Sequence, residues 1–247
     1  MSTTISANAK LTLSLRITGV RSDGYHFIDA EMVELDLADR LTVEDSAANN
    51  ATVSITGSGP FIGGLGLDDT NLVAKALRLC SRSAFVHVEK NIPHGGGLGG
   101  GSADAAAILR WAGYTDMVAA ARLGADVPFC MVGGRARVQG IGEIVSPLAP
   151  VARDFTLVIP PLSCATPHVY RAWDDLGGPT ASGPNDLEPA ALIVEPRLVW
   201  WRDRIGDVLG EAPHLAGSGA TWFVEGHRSS LIDALPDARV VFASTIA

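Results

Sequence analysis

Apolar and polar residues alternate between Ala9 and Ile17. Leu11, Leu13, Leu15 and Ile17 share one face and Lys10, Thr12, Ser14 and Arg16 the other, the two-residue period of a half-buried strand. A loop rich in turn formers, Gly19 to Gly24, then delivers Tyr25 and His26. Alternation over residues 33–37, 41–44 and 51–55 predicts further strands, together an antiparallel sheet, and residues 45–50 and 57–69 read as loops. Residues 71–80 carry apolar positions at helical spacing, with Asp68, Asp69 or Thr70 as the cap. A strand over 84–89 leads into a glycine stretch, and the run 105–111 behind it is a good helix former. Beyond a turn at Gly113, residues 118–122 look helical and residues 133–143 read as strand and turn. Residues 154–161 form a strand that opens a second region, 185–201 are helical, and 222–224 and 238–243 are strands. The pattern is one of mixed helices and strands.

Composition narrows the choice. With 247 residues, 47% of them hydrophobic, the chain can fill one large domain or two small ones, and a division near Pro147 to Pro150 gives units of residues 1–149 and 150–247. A net charge of -8, from 19 basic and 27 acidic residues, argues against a nucleic-acid surface. Cys80, Cys130 and Cys164 lack C-x-x-C spacing and sit in apolar company, so buried thiols are expected rather than disulfides or a metal site. The N-terminus reads as no secretory leader, and no apolar run reaches the roughly 18 residues of a membrane span. The expected compartment is the cytoplasm and the expected partner a small molecule, not a nucleic acid, a membrane or another protein.

The strongest chemical signal is Pro93-His94-Gly95-Gly96-Gly97-Leu98-Gly99-Gly100-Gly101-Ser102-Ala103-Asp104. Glycines at positive φ let backbone N–H groups close around an anion, and the helix that follows adds unpaired donors and the positive end of its dipole. The stretch reads as a phosphate-cradling loop, with Ser102 at or beside the helix N-cap. Gly95, Gly97 and Gly100 satisfy G-x-G-x-x-G spacing. The acidic residue that a dinucleotide site needs about 20 positions later is missing, because residues 118–122 look helical instead. Gly95 and Gly100 also begin a P-loop pattern, but Gly101 stands where that motif requires lysine.

The stretch does resemble the second motif of the GHMP kinase superfamily, P-x-x-x-G-L-G-x-G-S, which wraps the phosphates of ATP. The flanks sharpen the likeness. Ala9-Lys10-Leu11-x-Leu13-x-Leu15, followed by Gly19-x-Arg21-x-Asp23-Gly24-Tyr25-His26, looks like the N-terminal signature of the 4-diphosphocytidyl-2-C-methyl-D-erythritol kinase family. Leu123-Gly124-Ala125-Asp126-Val127-Pro128-Phe129 resembles its aspartate motif, and Gly140-Ile141-Gly142-Glu143 and Asn185-Asp186-Leu187-Glu188 are similar to further motifs. Leu215-Ala216-Gly217-Ser218-Gly219-Ala220-Thr221 resembles the third GHMP motif, a glycine turn that closes over the phosphates. The likenesses run in family order along nearly the whole chain.

The resemblance implies an α+β GHMP kinase fold, with an N-terminal ribosomal S5 domain-2-like lobe and a C-terminal ferredoxin-like lobe. It implies transfer of a phosphoryl group from ATP, with Mg²⁺, to the 2-hydroxyl of 4-diphosphocytidyl-2-C-methyl-D-erythritol. Lys10 and Asp126 become catalytic candidates, Asp126 as acceptor of the hydroxyl proton or as an orienting group. Gly124 ends the preceding helix and Pro128 is expected to hold Val127 extended, fixing Asp126 by backbone geometry; an N-cap role is the other reading of Asp126. The implied ATP contacts are Asn71, Lys90, Pro93, Gly95, Gly96, Gly97, Leu98, Gly99, Gly100, Gly101 and Ser102, with Ser102 also a candidate Mg²⁺ ligand. Tyr25, His26 and Tyr170 are the implied cytosine contacts, Tyr170 facing Tyr25 across the base; aromatic faces stack on bases, and imidazoles hydrogen-bond their edges. Asn71 also reads as a polar residue near a helix cap, and Tyr170 as a core tyrosine. Thr12 is a substrate-binding candidate that departs from the family's usual asparagine while keeping a hydroxyl. The connection before Leu123 is shorter than usual. A GHMP kinase for another small molecule, or a nucleotide-binding homologue with weak catalysis, is the alternative.

Overall fold

The alternation at Ala9 to Ile17 is the middle of a longer element. In the computed structural model, which describes residues 2–46, 53–66 and 68–246, β1 (Ser2–Val20) pairs antiparallel with β2 (His26–Asp45). The expected strands at 33–37 and 41–44 are both parts of β2. Ala38, Asp39 and Arg40, poor strand formers by propensity, stay in the ladder because Asn8, Ala7 and Ser6 pair with them. Register shifts fall between Asn8 and Lys10 and between Thr12 and Ser14, bulges that bend the strand on either side of Lys10 to Thr12.

The rest of the first sheet and its helices follow: β3 (Ser54–Ser58), α1 (Leu72–Leu79), β4 (Ala84–Glu89), α2 (Gly100–Trp111), α3 (Met117–Ala121), α4 (Val127–Val132), β5 (Arg135–Gly140) and β6 (Ile144–Pro147). The sheet order is β3-β4-β2-β5-β6 with β1 on β2, and β3 runs parallel to β4, so the sheet is mixed rather than antiparallel throughout. Of the strand expected at 51–55, residues 51–52 lie outside the described residues, and β3 extends to Ser58 into the expected loop. Residues 47–50 of the expected loop at 45–50 also lie outside them.

Local chemistry corrects several details. Asn71 itself caps α1, its side chain accepting from Val73 N at 2.8 Å, whereas Asp68 accepts from Thr70 in the turn before it. Gly99, at φ 70, is the N-cap of α2 and Ser102 lies inside the first turn, because only a residue free of Cβ strain turns the chain so abruptly here. Val127 is the first residue of α4 and not extended: Pro128 falls in the first turn, where a missing N–H leaves no bond unmade.

The second sheet is built from β7 (Asp154–Ile159), then α5 (Thr166–Asp175), α6 (Glu188–Val194) and α7 (Leu198–Leu209), the hairpin β8 (His214–Leu215) and β9 (Trp222–Glu225), α8 (Ser230–Ala234) and β10 (Arg239–Ser244). Its order, β10-β7-β9-β8, with helices between β7 and β8 and between β9 and β10, is the ferredoxin-like arrangement. The helical region expected at 185–201 is split into α6 and α7 at Pro196. Of the tryptophan pair, Trp201 is buried and Trp200 exposed.

One cluster of buried residues joins the two sheets: Ala9, Leu11, Val33 and Leu35 from the β1–β2 pair meet Phe155, Leu157, Phe223 and Ala243. The larger core lies on the helical sides. With apolar cover on both sides, β1 is not half-buried at its centre, and Lys10 and Thr12 on the polar face are as enclosed as Leu11 on the other. Cys130 and Cys164 are buried and Cys80 partly so, all as free thiols. No helix among the described residues is long and apolar enough to cross a membrane.

Candidate active site

Lys10 is the centre of the site. Its backbone N–H donates to Leu98 O at 3.0 Å, so β1 grips the glycine stretch directly. Its ammonium donates to Thr12 Oγ1 at 3.0 Å and lies 3.4 Å from Asp126 Oδ2. The lysine side chain is 5% exposed and the aspartate side chain 30%, so a buried cation backs a carboxylate that faces an opening. Asp126 occupies the N-cap position of α4 but makes no side-chain capping bond, which leaves its oxygens available.

The glycine stretch is wedged between Lys10 and the turn at 215–221. Gly95, Gly97 and Gly99 have positive φ. A Cβ on Gly97 would collide with the carbonyl oxygen of Ala216, and one on Gly99 would lie 2.8 Å from Lys10 Cγ. Gly95 O accepts from Ala220 N at 3.1 Å and Gly96 O from Thr221 N at 3.2 Å. The third glycine motif therefore seats the second one, and α2 begins from the seated loop with its unpaired N–H groups at the site. Pro93, His94 and Gly96 also line a cleft of about 580 Å³, shared with Phe61, Leu162 and Thr221.

Some predicted residues stand apart from this surface. Both ends of the Asn71 side chain are engaged, one with Val73 N and the other with Gly66 O. Lys90 is 5% exposed beneath the loop, its ammonium paired with Asp39 and, at 2.7 Å, with Asp104 Oδ2. Burial alone would lower its pKa, but the two carboxylates more than offset this and hold it above its ordinary value. Ser102, within α2, has its Oγ 3.3 Å from where a Cβ on Gly124 would lie, beside the aspartate motif.

At the other end, Tyr25 is 58% exposed, with the Arg21 guanidinium 5.1 Å from its ring centre. His26 and Tyr170 are brought together at 4.8 Å between ring centres, with Trp173 edge-on to His26 at 5.4 Å and Asp174 Oδ1 at 2.7 Å from His26 Nε2. Tyr170 lies on α5 and its ring partner is His26; no ring contact with Tyr25 occurs among the described residues. Burial, and then the charge of Asp126, push the Tyr170 phenol well above its usual range.

Residue reading alone missed several groups. Asn185 Nδ2 donates to the carbonyls of Leu215 and Gly217 at 3.0 and 2.7 Å. Asp186 accepts from Arg16 Nη1, Ile17 N and Ala181 N, so the Asn185-Asp186 motif ties β1 to the third glycine turn. The motif was visible in the sequence, but its structural task was not. Asp39 and Asp174 gave no signal, since a single acid in a strand or helix has no diagnostic spacing.

Comparison with known proteins bears on the family and the fold. Residues 71–134 match the family of GHMP kinases N terminal domain. The chain is 37% identical, over 88% of its length and 85% of the relative's, to the 4-diphosphocytidyl-2-C-methyl-D-erythritol kinase of Paracoccus denitrificans. It is 38% identical to the kinase of the same name from Cereibacter sphaeroides, over 88% of this chain and 87% of that one. A crystal structure of 4-(cytidine 5'-diphospho)-2C-methyl-D-erythritol kinase superposes with a TM-score of 0.78 at 29% identity, covering 99% of this chain and 100% of the other. Homoserine kinase from Cytophaga hutchinsonii shares the fold, with a TM-score of 0.60 at 15% identity over 98% and 95% of the two chains.

Proposed function

Because the chain belongs to the 4-diphosphocytidyl-2-C-methyl-D-erythritol kinases, we propose that it transfers the γ-phosphoryl group of ATP to the 2-hydroxyl of that substrate. The observation that carries the reading is the Lys10–Asp126 pair, 3.4 Å apart beside a glycine loop seated by the second lobe.

Asp126 accepts the hydroxyl proton as the new O–P bond forms, and the bond to the β-phosphate breaks to release ADP. The Lys10 ammonium, held by Thr12 Oγ1, sits where charge on the transferring group needs a cation. In a loose transition state most of the acceleration comes from positioning, which falls to the glycine loop and the start of α2. Asn71 and Lys90 act as supports of the nucleotide site, given that their polar atoms are already engaged. The base end of the acceptor is assigned to Tyr25, His26 and Tyr170, with His26 and Tyr170 as one packed unit.

Mg²⁺ is compatible with the donors present. Ser102 offers a hard oxygen that capping does not consume, and Mg²⁺ commonly takes one or two protein oxygens with the rest from phosphates and water. When bound, the ion neutralises charge on the phosphates. The units 1–149 and 150–247 each supply part of the site, and the substrates are water-soluble, as suits a cytoplasmic enzyme.

The test is ADP release from MgATP with and without 4-diphosphocytidyl-2-C-methyl-D-erythritol, beside Asp126→Asn. The expected result is release that needs the acceptor and falls at least 100-fold in the variant, within the range of general acid–base effects of about 10² to 10⁴. Near-normal turnover in the variant would remove the proton-acceptor role. ATP binding without release would redirect the reading to other GHMP acceptors or to a weakly catalytic homologue.

A further inference from the structure

Beneath the glycine loop lies a charged cluster around Lys90 whose two carboxylates have no part in the reaction above. Asp39 is fully buried, Asp104 is 1% exposed and Lys90 5%. The Lys90 ammonium bonds both carboxylates. Asp39 Oδ1 also accepts from Asn91 N and from Ile92 N at 2.8 Å, the two peptides that lead into the loop. Asp104 is in the second turn of α2, and its Oδ1 is buried with no hydrogen-bond partner among the described residues. Burial, with the Asp39 charge adding to it against the pull of Lys90, pushes the Asp104 carboxyl up to about 7.

The cluster touches the segments at both ends of the loop. Lys90 follows the end of β4, Asn91 and Ile92 begin the loop, and Asp104 belongs to the helix that ends it. Where the helix starts, a Cβ on Gly100 would lie 2.9 Å from Ile92 Cγ2 and 3.4 Å from Lys90 Nζ, so the ammonium sits directly under the helix N-terminus. A buried, incompletely partnered carboxylate opposes folding unless it has a compensating task. Asp39 already neutralises Lys90 and binds the loop peptides, so stability alone does not require a second carboxylate.

We infer that Asp104 is a positioning residue for the nucleotide: through Lys90 it locks the start of the glycine loop to the second turn of α2, holding the loop's N–H groups in the geometry that receives phosphate. The inference rests on the kinase reading above and adds a residue to it that does not touch substrate. Anion binding by backbone groups depends on their mutual alignment, so a loosened lock weakens nucleotide binding and leaves acceptor binding, assigned above to Tyr25, His26 and Tyr170, unaffected.

Two variants with the same number and branching of side-chain heavy atoms separate this from a packing role. Asp104→Leu removes the bond to Lys90 and leaves a neutral Lys90–Asp39 pair; Asp104→Asn keeps an oxygen for Lys90. The measurements are ADP affinity by calorimetry, amide hydrogen exchange over residues 91–101, and KM for ATP and for the acceptor. For Asp104→Leu we expect ADP affinity to fall and KM for ATP to rise about tenfold, the size of one lost charged hydrogen bond. Exchange in the loop should quicken and KM for the acceptor stay within about twofold. Asp104→Asn should restore each value to within about threefold. Unchanged ADP affinity and loop exchange in a folded Asp104→Leu protein would overturn the inference, as would equal loss in both variants or equal changes in the two KM values. If the leucine variant does not fold, Asp104→Ala replaces it under the same criteria. Should the wild-type protein release no ADP, the kinase reading falls, while calorimetry and exchange still decide the role of Asp104.

Discussion

A lysine whose ammonium is buried at one fixed point has to give up most of the rotamers of a four-carbon stem, and something must hold it in place. Here the partner is Thr12, whose hydroxyl accepts from Lys10 at 3.0 Å while the residue is only 2% exposed. The departure from the family's usual asparagine therefore has a task inside the protein: a short hydroxyl ends where the ammonium stands. Thr12→Val keeps the shape and deletes the acceptor. A hydrogen bond to a charged group contributes about 1.5 to 3 kcal/mol, so kcat should fall about tenfold or more with KM for ATP nearly unchanged. Steady-state kinetics with each substrate varied will check this. An unchanged kcat would mean that Asp126 alone holds the lysine.

The glycine loop is the element whose form was most legible in the sequence, because the need for a close backbone approach leaves few residue types to choose from. Gly97 shows the limit of such reading. The sequence marked it as an ATP contact, whereas the structure adds that its missing Cβ makes room for the Ala216 carbonyl of the other lobe. Gly97→Ala, at φ 76, combines backbone strain with that collision, and should lower the melting temperature and abolish measurable ADP binding. Calorimetry of a folded variant is the check; retained affinity would show that the loop does not need its seat. Elements with a clear period, such as α1, or with a short continuous apolar run, such as β7 and β9, were also readable. The long β1–β2 ladder was not, since Asp39 breaks the pattern and is held by Lys90 and the peptides of Asn91 and Ile92, all distant in sequence. The same holds for the pairing of Tyr170 with His26. It depends on how α5 packs against the start of β2, a contact that no local spacing encodes.

At the scale of the whole molecule, the two sheets share apolar core, and polar links fasten them at the glycine loop, between β2 and the end of β10, and on β1. Leu15 N donates to Pro184 O and Asp186 N to Leu15 O, a short parallel bridge from β1 to the segment before α6. Asp186, 1% exposed, closes the bridge by accepting from Arg16 Nη1 at 2.7 Å and from the peptides of Ile17 and Ala181. The two sides of this ion pair are not equivalent. Arg16 has a side chain 41% exposed, so Arg16→Met leaves a carboxylate that still accepts two backbone N–H groups and should change stability by about 1 kcal/mol. Asp186→Ala strands those two peptides as well as the guanidinium. The guanidinium can turn to solvent but the two peptides cannot, so the cost is about 1 to 3 kcal/mol for each, or roughly 4 to 20 °C in melting temperature for a chain of this size. Because β1 also carries Lys10, the destabilised variant should lose turnover when assayed below its new melting temperature. Thermal unfolding of the two variants side by side is the measurement. Equal losses would mean that the charge, and not the backbone bridge, aligns the lobes.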